Sequence, residues 1–414
     1  MLNRYSIKRG LLLGLVISII MIITPSFSFA KGTDADNAID NSNIDLITMS
    51  TVASIRSSNR NKLKEELENG ATTICLKNGI YPIHDFEISE DTKIIGQSSE
   101  RTIIDAEHQR LFLVDEGVNF ELEDITIING ENQKGGAIHN NGNLVLKNIV
   151  FDKNRAPGEN SAGGAIYNNG EVLLSNCVFK NNISNMIGGA IYNKGTLTIA
   201  STKFERNVAD DCGGAIYNNG QAIINTTVFE YNITSDLGGA IFNSNNGDLD
   251  VVLSSFVGNI ALGYSGAIHS DSTKAEIHYS RLVNNTTGSL SGTIDARNNW
   301  WGHNKGPYAP IELGIRVEPW LIVDIELTPL PSGEILASAG FKGDSNGGND
   351  PIIASMSHLG IYKDMSPVIY SADAINDGMY PHSTELFYPK NDSMTINYKI
   401  DEDIISRKIN IEGK

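Results

Sequence analysis

The sequence predicts an all-β solenoid, a parallel β-helix in which three short strands recur in each coil of about 25 residues. Two landmarks that repeat in phase along the middle of the chain carry this prediction. One is the tetrapeptide Gly-Gly-Ala-Ile, which begins at Gly135, Gly163, Gly188, Gly213 and Gly238, with weaker copies at Ser265 and Ser291. The other is a Phe followed three residues later by Asn, as in Phe151 and Asn154, Phe179 and Asn182, Phe204 and Asn207, Phe229 and Asn232, and Phe256 and Asn259.

Apolar and variable residues alternate within each repeat, as expected of strands with one buried face. The constant Ile slot is predicted to point inward, and the Phe of the third run to close the core. No single copy can bury its apolar face, but stacked coils can. The Asn after each Phe predicts an inward ladder whose amides bond the next coil, and the glycines predict close backbone approach. The predicted inward Ile residues are Ile138, Ile166, Ile191, Ile216, Ile241, Ile268 and Ile294.

The solenoid is predicted to span residues 59–314 and to be capped at both ends, because an open coil exposes apolar side chains and strand edges. Residues 59–69 predict a capping helix with Leu63 and Leu67 on one face. At the other end, Trp300 and Trp301 are predicted to cover the last coil, with a ligand-binding tryptophan pair as the alternative. Residues 315–414 lack the repeat and predict a small β-sandwich of short alternating strands.

The first 30 residues predict a cleaved secretory signal: a basic start, an apolar run over residues 11–23 and a small-x-small site at 28–30. The alternative is a membrane anchor, for which the run is short. Residues 31–58 are predicted to be a flexible linker. The net charge of −17 would become −20 after cleavage, because the signal holds three basic and no acidic residues. This charge argues against nucleic acid as a partner, and no second apolar run predicts a membrane span after signal removal.

The paired landmarks resemble the repeats of the chlamydial polymorphic membrane protein family. The layout as a whole is similar to that of adhesin-like surface proteins of methanogenic archaea, and residues 298–307 (NNWWGHNKGP) match a segment of those proteins well. The resemblance covers about residues 60–310. It implies a right-handed β-helix of the pectin-lyase type, followed by an immunoglobulin-like domain over 315–414, in a secreted or cell-surface protein.

Candidate catalytic groups are sparse, and we assign no catalytic residue, metal ligand or cofactor from the sequence. Asp211 and Asp236 occupy equivalent positions 25 residues apart and are predicted to stack on adjacent coils. His269 and Asp295 are predicted to share one outward slot on neighbouring coils. No coil is expected to combine acidic, basic and His side chains at outward positions. Cys212 occupies a slot that is otherwise apolar, which predicts a buried side chain.

The variable slot after each Ile carries rings in six successive copies and predicts an outward ladder exposed to solvent. Such a stripe can stack on sugar rings or on a partner protein, or it can merely stabilise the sheet through cross-strand pairing. The residues of the ladder are His139, Tyr167, Tyr192, Tyr217, Phe242 and His269. The sequence thus favours a non-catalytic, adhesin-like protein that binds extracellular carbohydrate or a host or partner-cell surface. A polysaccharide lyase or glycoside hydrolase of the same fold is the competing hypothesis.

Overall fold

The structure is a computed structural model of the chain, and helical structure in its described part is confined to α1, Lys62–Glu68. No helix of that part is long and apolar enough to cross a membrane. The predicted signal peptide lies outside the described residues, as does most of the predicted linker. Val52–Ile55, within that linker, instead forms a strand. The described residues are 52–55, 62–286, 288–307, 314–332, 335–347, 368–370, 374–376, 384–389, 393–401 and 403–410.

The predicted right-handed parallel β-helix is confirmed, with about nine turns. Within a coil the chain passes through a strand of sheet C (for example Ile138–Asn140), then of sheet A (Asn143–Lys147), then of sheet B (Val150–Asp152), and returns to sheet C one coil further on. Every pairing within these sheets is parallel, and like residues of successive repeats lie opposite one another, as in Ile166 opposite Ile191. Five central coils add a fourth, two-residue strand, sheet D, which the repeat pattern did not predict.

The strands of the solenoid lie in the following order in each sheet, within the described residues. Sheet A consists of Val52–Ile55, Thr73–Leu76, Thr92–Gly96, Asn119–Glu123, Asn143–Lys147, Glu171–Ser175, Thr196–Ala200, Gln221–Asn225, Asp248–Val252, Ala275–His278, Ile294–Asp295 and Ile315–Arg316. Sheet B consists of Gly79–Pro82, Thr102–Asp105, Thr126–Ile128, Val150–Asp152, Val178–Lys180, Lys203–Glu205, Val228–Glu230, Ser255–Val257 and Arg281–Val283. Sheet C consists of Phe86–Ile88, Phe112–Val114, Ile138–Asn140, Ile166–Asn168, Ile191–Asn193, Ile216–Asn218, Ile241–Asn243, Ile268–Ser270 and Leu290–Gly292. Sheet D consists of Arg155–Ala156, Ile183–Ser184, Val208–Ala209, Ile233–Thr234 and Ile260–Ala261.

Columns of identical apolar side chains fill the interior of the solenoid. The Ile of every full Gly-Gly-Ala-Ile copy is buried in one continuous core, as predicted. The Phe column packs as a parallel stack, with ring centroids of neighbouring coils 4.7–4.9 Å apart. This separation equals the spacing of strands in a sheet, so backbone pairing and side-chain stacking are satisfied together.

Buried asparagines form two hydrogen-bonded ladders at the corners of the coil. In the predicted ladder, the backbone N–H of Asn182 donates to Oδ1 of Asn207 at 3.1 Å, and Nδ2 of Asn182 donates to the carbonyl oxygen of Phe151 at 3.1 Å. A second ladder follows the sheet C strands, where Nδ2 of Asn168 donates to Oδ1 of Asn193 at 2.8 Å. Each amide thus satisfies polar backbone groups that the turns would otherwise leave buried without a partner.

The Gly-Gly pairs mark the place where two stretches of backbone pack directly against each other. A Cβ on Gly189 would lie 2.1 Å from the carbonyl oxygen of Gly214 and 2.6 Å from that of Val208 in sheet D. The preceding Gly188 has a φ of +63°, which L side chains rarely adopt. The first glycine therefore sets the turn, and the second leaves room for sheet D.

The last weak repeat does not continue the Ile column, which corrects the sequence prediction. Ile268 pairs with Leu290, so Leu290 occupies the slot that the pattern assigned to Ile294. Ile294 is buried in the core as predicted, but it lies in sheet A, opposite Ile315, which is beyond the predicted boundary at residue 314. The segment that connects sheet B to sheet C is shorter in this coil. The spacing of the repeats in the sequence therefore no longer shows which residues lie opposite each other on neighbouring strands.

The two adjacent tryptophans point into different cores. Trp301 belongs to the solenoid core and covers its last coil, together with Ile315. Trp300 belongs to a second core, which it forms with Tyr279 and Val283 of the solenoid and with residues of the C-terminal sheets. At the opposite end, Leu63 and Leu67 of α1 are buried against the first coil, as the amphipathic pattern predicted.

Residues beyond the solenoid form two antiparallel sheets, consistent with the predicted small β-sandwich. A buried ion pair attaches them to the solenoid, since the Arg281 guanidinium contacts the Asp401 carboxylate. Nε1 of Trp300 donates to the same carboxylate at 2.7 Å. The two sheets consist, where described, of Leu321–Pro329, Ile335–Asp344, Thr384–Pro389 and Ala374–Asn376, and of Val368–Tyr370, Ser393–Ile400 and Asp403–Asn410.

We predict that Gly189→Ala lowers the free energy of unfolding by about 3 kcal/mol, because the backbone contacts leave no room for a methyl group. Urea unfolding followed by circular dichroism measures the change. Gly158→Ala is the control, since Gly158 has a φ of +87° but no atom within 4 Å of the added Cβ. That substitution is expected to cost about 1–2 kcal/mol from backbone strain alone. Equal effects of the two variants would contradict the steric explanation.

A second prediction concerns the buried ion pair. Asp401→Ala is expected to destabilise the C-terminal sheets by about 3–5 kcal/mol, because the Arg281 side chain, 9% exposed, would stay buried without a counter-charge. Hydrogen exchange should show the loss in Ser393–Ile400 and not in the central coils. Arg407→Ala is the matched control, because its pair with Asp324 is solvent-exposed and such pairs contribute about 1 kcal/mol or less. Unchanged exchange in Asp401→Ala would refute the role of the pair.

Candidate functional site

The predicted ladder of rings exists and runs along the outer face of sheet C. We call it the aromatic column. Each member is the middle residue of its three-residue strand, so parallel register places the rings one above another. Neighbouring ring centroids are 4.8–5.4 Å apart, and all pairs except the first are stacked within 21° of parallel. The members are His139, Tyr167, Tyr192, Tyr217, Phe242 and His269.

The column is much less exposed than the sequence predicted. Tyr167 is 9% exposed and Phe242 is 6% exposed, while the other members are half-buried. The cause is the strand spacing, which matches the preferred separation of stacked rings. The rings therefore pack face to face instead of lying flat on the sheet. Their faces are occupied by one another, and the ring edges are the part left to meet a ligand.

A row of polar side chains lies beside the column, two residues after each ring and just past the end of its strand. Nδ2 of Asn169 donates to Oδ1 of Asn141 at 2.8 Å and lies 3.2 Å from Nε2 of His139. Burial raises the pKa of Tyr192, and the nearby side chain of Asn219 opposes this shift. Ring edges and these polar side chains together form a strip of hydrogen-bonding groups, in which the residue after the strand is Asn141, Asn169, Lys194, Asn219, Ser244 or Asp271.

Two basic side chains act on the first rings of the column. Nζ of Lys134 lies 5.5 Å from the centre of the Tyr167 ring, a cation–π contact. The pKa of His139 is lowered, first by burial and then by the positive charges of Arg110 and Lys134.

The opposite part of the column lies in a negative environment. Burial is the main reason why the pKa of Tyr217 is raised to about 12, and the neighbouring groups add to the shift. Nε2 of His269 lies 2.9 Å from Oδ1 of Asp271, and Nδ1 of His269 lies 2.6 Å from Oγ of Ser291. The groups that raise the pKa of Tyr217 electrostatically are Tyr192, Cys212, Asp271 and Asp211.

Asp211 and Asp236 lie on adjacent coils, in agreement with the predicted stacking. Cys212 joins them, and the carboxylate oxygens and the thiol sulfur all lie within 4.8 Å of one another. These donor atoms are close enough to contact one metal ion. The pKa of the Cys212 thiol is raised to about 12, by burial first and then by Asp211 and Asp236. The sequence predicted the stacking of the acids and the burial of Cys212, but not that the thiol lies within 4.8 Å of both carboxylates, because spacing alone does not give side-chain directions at a coil corner.

The prediction that His269 and Asp295 share one outward slot on neighbouring coils is wrong. His269 lies opposite Ser291, and Asp295 lies opposite Glu276 in sheet A. The shortened last coil is again the reason, since it moves Asp295 onto another sheet. Asp295 instead forms an ion pair with Arg297 at 2.6 Å, and this contact lowers the pKa of the Asp295 carboxyl against the effect of burial.

Sequence reasoning also missed a mixed cluster at the first coils. His84 lies 3.8 Å from Asp85 and 3.9 Å from Glu107, and Arg110 lies 3.8 Å from Asp85. Acidic, basic and His side chains therefore do converge at outward positions, contrary to expectation. The signal was present in the sequence, because residues 84–85 and 107–110 precede the aligned Phe86 and Phe112, but these early coils lack the regular repeat.

Comparisons with known proteins identify the repeat itself. Residues 148–169, 176–194 and 201–219 match the family model of the Chlamydia polymorphic membrane protein repeat. These coils therefore carry that repeat, as the paired landmarks indicated. Searches of curated proteins and of solved structures each found no match to this chain.

We predict that Tyr217 titrates near pH 12. Because the pKa is raised above its ordinary value of 10.0, the stabilisation from the neutral phenol is complete below pH 10 and is lost as the pH rises through about 12. The difference in phenolate absorbance between wild type and Tyr217→Phe measures this titration, with circular dichroism at each pH to detect unfolding. Asp211→Asn should lower the midpoint, since it removes a negative charge. A midpoint near 10 in the folded protein would contradict the prediction.

Proposed function

We propose that this chain is a secreted or cell-surface, adhesin-like protein that binds extracellular glycans or partner-cell surfaces without catalysis. The observation that carries the proposal is the aromatic column, which presents one ring edge and one neighbouring polar side chain per coil along a parallel sheet. The match of three segments to the repeat of a membrane protein family supports a surface location. The acidic net charge of −17 makes nucleic acid an unsuitable partner.

The geometry changes how a glycan would be held. Because the ring faces are occupied by stacking, sugars would not stack on them as the sequence suggested. They would meet the tyrosine hydroxyls and the neighbouring amides, which can donate to and accept from sugar hydroxyls. A polysaccharide lying along the solenoid axis would meet one tyrosine hydroxyl at each of three successive coils, those of Tyr167, Tyr192 and Tyr217. Many modest hydrogen bonds would then add up along the chain of sugars.

A polysaccharide lyase or glycoside hydrolase is the second candidate. It is favoured by the Asp211 and Asp236 carboxylates, whose approach on adjacent coils resembles the paired acids that such hydrolysis requires. Incubation with a panel of polysaccharides tests it. Product release that is lost in Asp211→Asn and in Asp236→Asn would establish catalysis, and no release by wild type from any member would support the binding function.

The binding function is tested by replacing Tyr167, Tyr192 and Tyr217 together with Phe. The rings and their stacking remain, so folding should be preserved, but three hydroxyls are lost. If each hydroxyl contributes about 1 kcal/mol, glycan affinity should fall roughly a hundredfold. A glycan array probed with residues 31–414 identifies the ligand, and titration of that ligand measures the affinity.

The control for this experiment is Tyr231→Phe, because Tyr231 is exposed and lies outside the column. It should bind as wild type does. Unchanged affinity of the triple Phe variant would assign the column a purely structural role in the sheet.

A further inference from the structure

The outer face of sheet D carries a column of aliphatic side chains. The second residue of each of its strands is buried in the coil, so the first residue faces outward. Parallel register aligns these outward residues, which are Arg155, Ile183, Val208, Ile233 and Ile260. The column is therefore apolar after Arg155, and none of its aliphatic members is buried.

Two larger and more exposed side chains extend the column at its C-terminal end. Leu262 is 73% exposed and Tyr264 is 64% exposed, and both follow closely on Ile260. Their backbone is held against the preceding coil, because the N–H of Leu262 donates to the carbonyl oxygen of Thr234 and that of Tyr264 to the carbonyl oxygen of Asp236, each at 3.1 Å. The exposure of these side chains thus belongs to an ordered part of the coil.

The exposed ring of Tyr231 extends the apolar surface on the other side of the column. It lies over the next coil, since a Cβ on Gly258, two residues before Ile260, would come within 2.6 Å of the ring. Exposed apolar side chains that adjoin one another mark a surface for a partner. We call this surface the apolar patch, and its members are Tyr231, Ile233, Ile260, Leu262 and Tyr264.

The patch is bordered by carboxylates that no basic side chain balances. Asp210, Asp211 and Asp236 follow the sheet D strands, and a carboxylate oxygen of Asp211 lies within 4.8 Å of one of Asp236. None of the three forms an ion pair within the described residues. The stretch from 207 to 273, which contains them, has no Lys or Arg.

The basic side chains of the coil before the patch are already engaged with carboxylates. The guanidinium of Arg206 lies 5.8 Å from the centre of the Tyr231 ring and contacts Glu205. Nζ of Lys203 lies 3.0 Å from Glu230 and 3.2 Å from Glu205. These cations therefore do not neutralise the aspartates, and the border of the patch stays negative.

We propose that the apolar patch docks a cationic, amphipathic polypeptide segment. Its apolar residues cover the patch, and its Lys or Arg side chains pair with Asp210, Asp211 and Asp236. Charge complementarity selects this occupant. A second copy of the chain, with a net charge of −17, would place like charges against the border, and the same aspartates repel an anionic lipid surface. The inference goes beyond glycan binding, because the patch contains no ring of the aromatic column.

Three synthetic peptides of equal length test what the patch requires of its partner. One consists of Leu and Lys in an amphipathic pattern, the second has Glu in place of Lys, and the third has Ser in place of Leu. We expect the Leu/Lys peptide to bind wild type at least roughly tenfold more tightly than either of the others at low salt. Fluorescence anisotropy of the labelled peptides measures the affinities. Equal binding of the Ser/Lys peptide would refute the docking site.

The apolar contribution is tested by Leu262→Ser combined with Tyr264→Ser, which removes two exposed side chains and leaves the core intact. Affinity for the Leu/Lys peptide should fall roughly tenfold or more, because the apolar area that the peptide covers is lost. The matched control is Ile80→Ser, since Ile80 is 59% exposed on sheet B, outside the patch. Circular dichroism shows that each variant is folded. An unchanged double variant, or an equal loss in the control, would refute the patch.

The contribution of the border is tested by Asp210→Asn combined with Asp236→Asn. This variant should bind the Leu/Lys peptide more weakly at low salt, and its affinity should depend less on salt. The control is Glu171→Gln combined with Asp248→Asn, which removes two exposed acids of sheet A and the same net charge. Equal weakening in both variants would assign the attraction to the net charge of the protein and contradict a local site.

Two further measurements test the other occupants of the patch. In sedimentation velocity, wild type should not self-associate, and self-association that disappears in the Leu262→Ser and Tyr264→Ser variant would assign the patch to a second copy. Vesicles of anionic phospholipid should not bind wild type. Vesicle binding that this variant loses would assign the patch to a lipid surface. Either of these losses would overturn the proposal.

Discussion

Parallel pairing of each coil with the next is the interaction on which the rest of this structure depends. It holds equivalent residues of successive repeats one strand spacing apart, so any residue that recurs in the sequence becomes a column in space. For Phe204 and Phe229 that column is a stack of rings 4.9 Å apart, and for Asn207 and Asn232 it is a hydrogen-bonded ladder. All columns require the same strand register. A slip of one residue between neighbouring strands would place every buried side chain on the wrong face of the sheet.

The close packing of the Gly-Gly segment against sheet D shows how tightly that register is held. Where Gly189 meets Val208, two backbone segments are in direct contact, and the small inward side chains Ala209 and Ser184 leave the coil narrow there. A narrow coil limits the interior to one layer of side chains on each face. That is why the core consists of a few repeated residue types and why each strand of sheet D is only two residues long.

Outside the coil, the same spacing has consequences for recognition. Rings that recur in one slot stack on each other, which rigidifies the strip and leaves edges and hydroxyls for a ligand. Acids that recur in one slot lie close together, as Asp211 and Asp236 do beside the buried thiol of Cys212. Charged side chains differ from coil to coil, with Lys134 over the Tyr167 ring and Asp271 beside His269. The selectivity of such a molecule for its ligand depends on which coils carry a residue that differs from the repeated one.

The sequence by itself determined the solenoid, the inward Ile and Phe columns, the Asn ladder, the helical cap and the place of the rings on the outer face. It could do so because, where coils have equal length, residues one repeat apart in the sequence lie opposite each other on neighbouring strands. Features that depend on coils of unequal length or on contacts between distant residues were decided only by the tertiary structure. They are the position of Ile294 and Asp295 in sheet A, the separate cores of Trp300 and Trp301, and the ion pair of Arg281 with Asp401. The tertiary structure also decided that the rings stack and are largely covered, because side-chain orientation follows from the packing of neighbouring coils and not from the repeat alone.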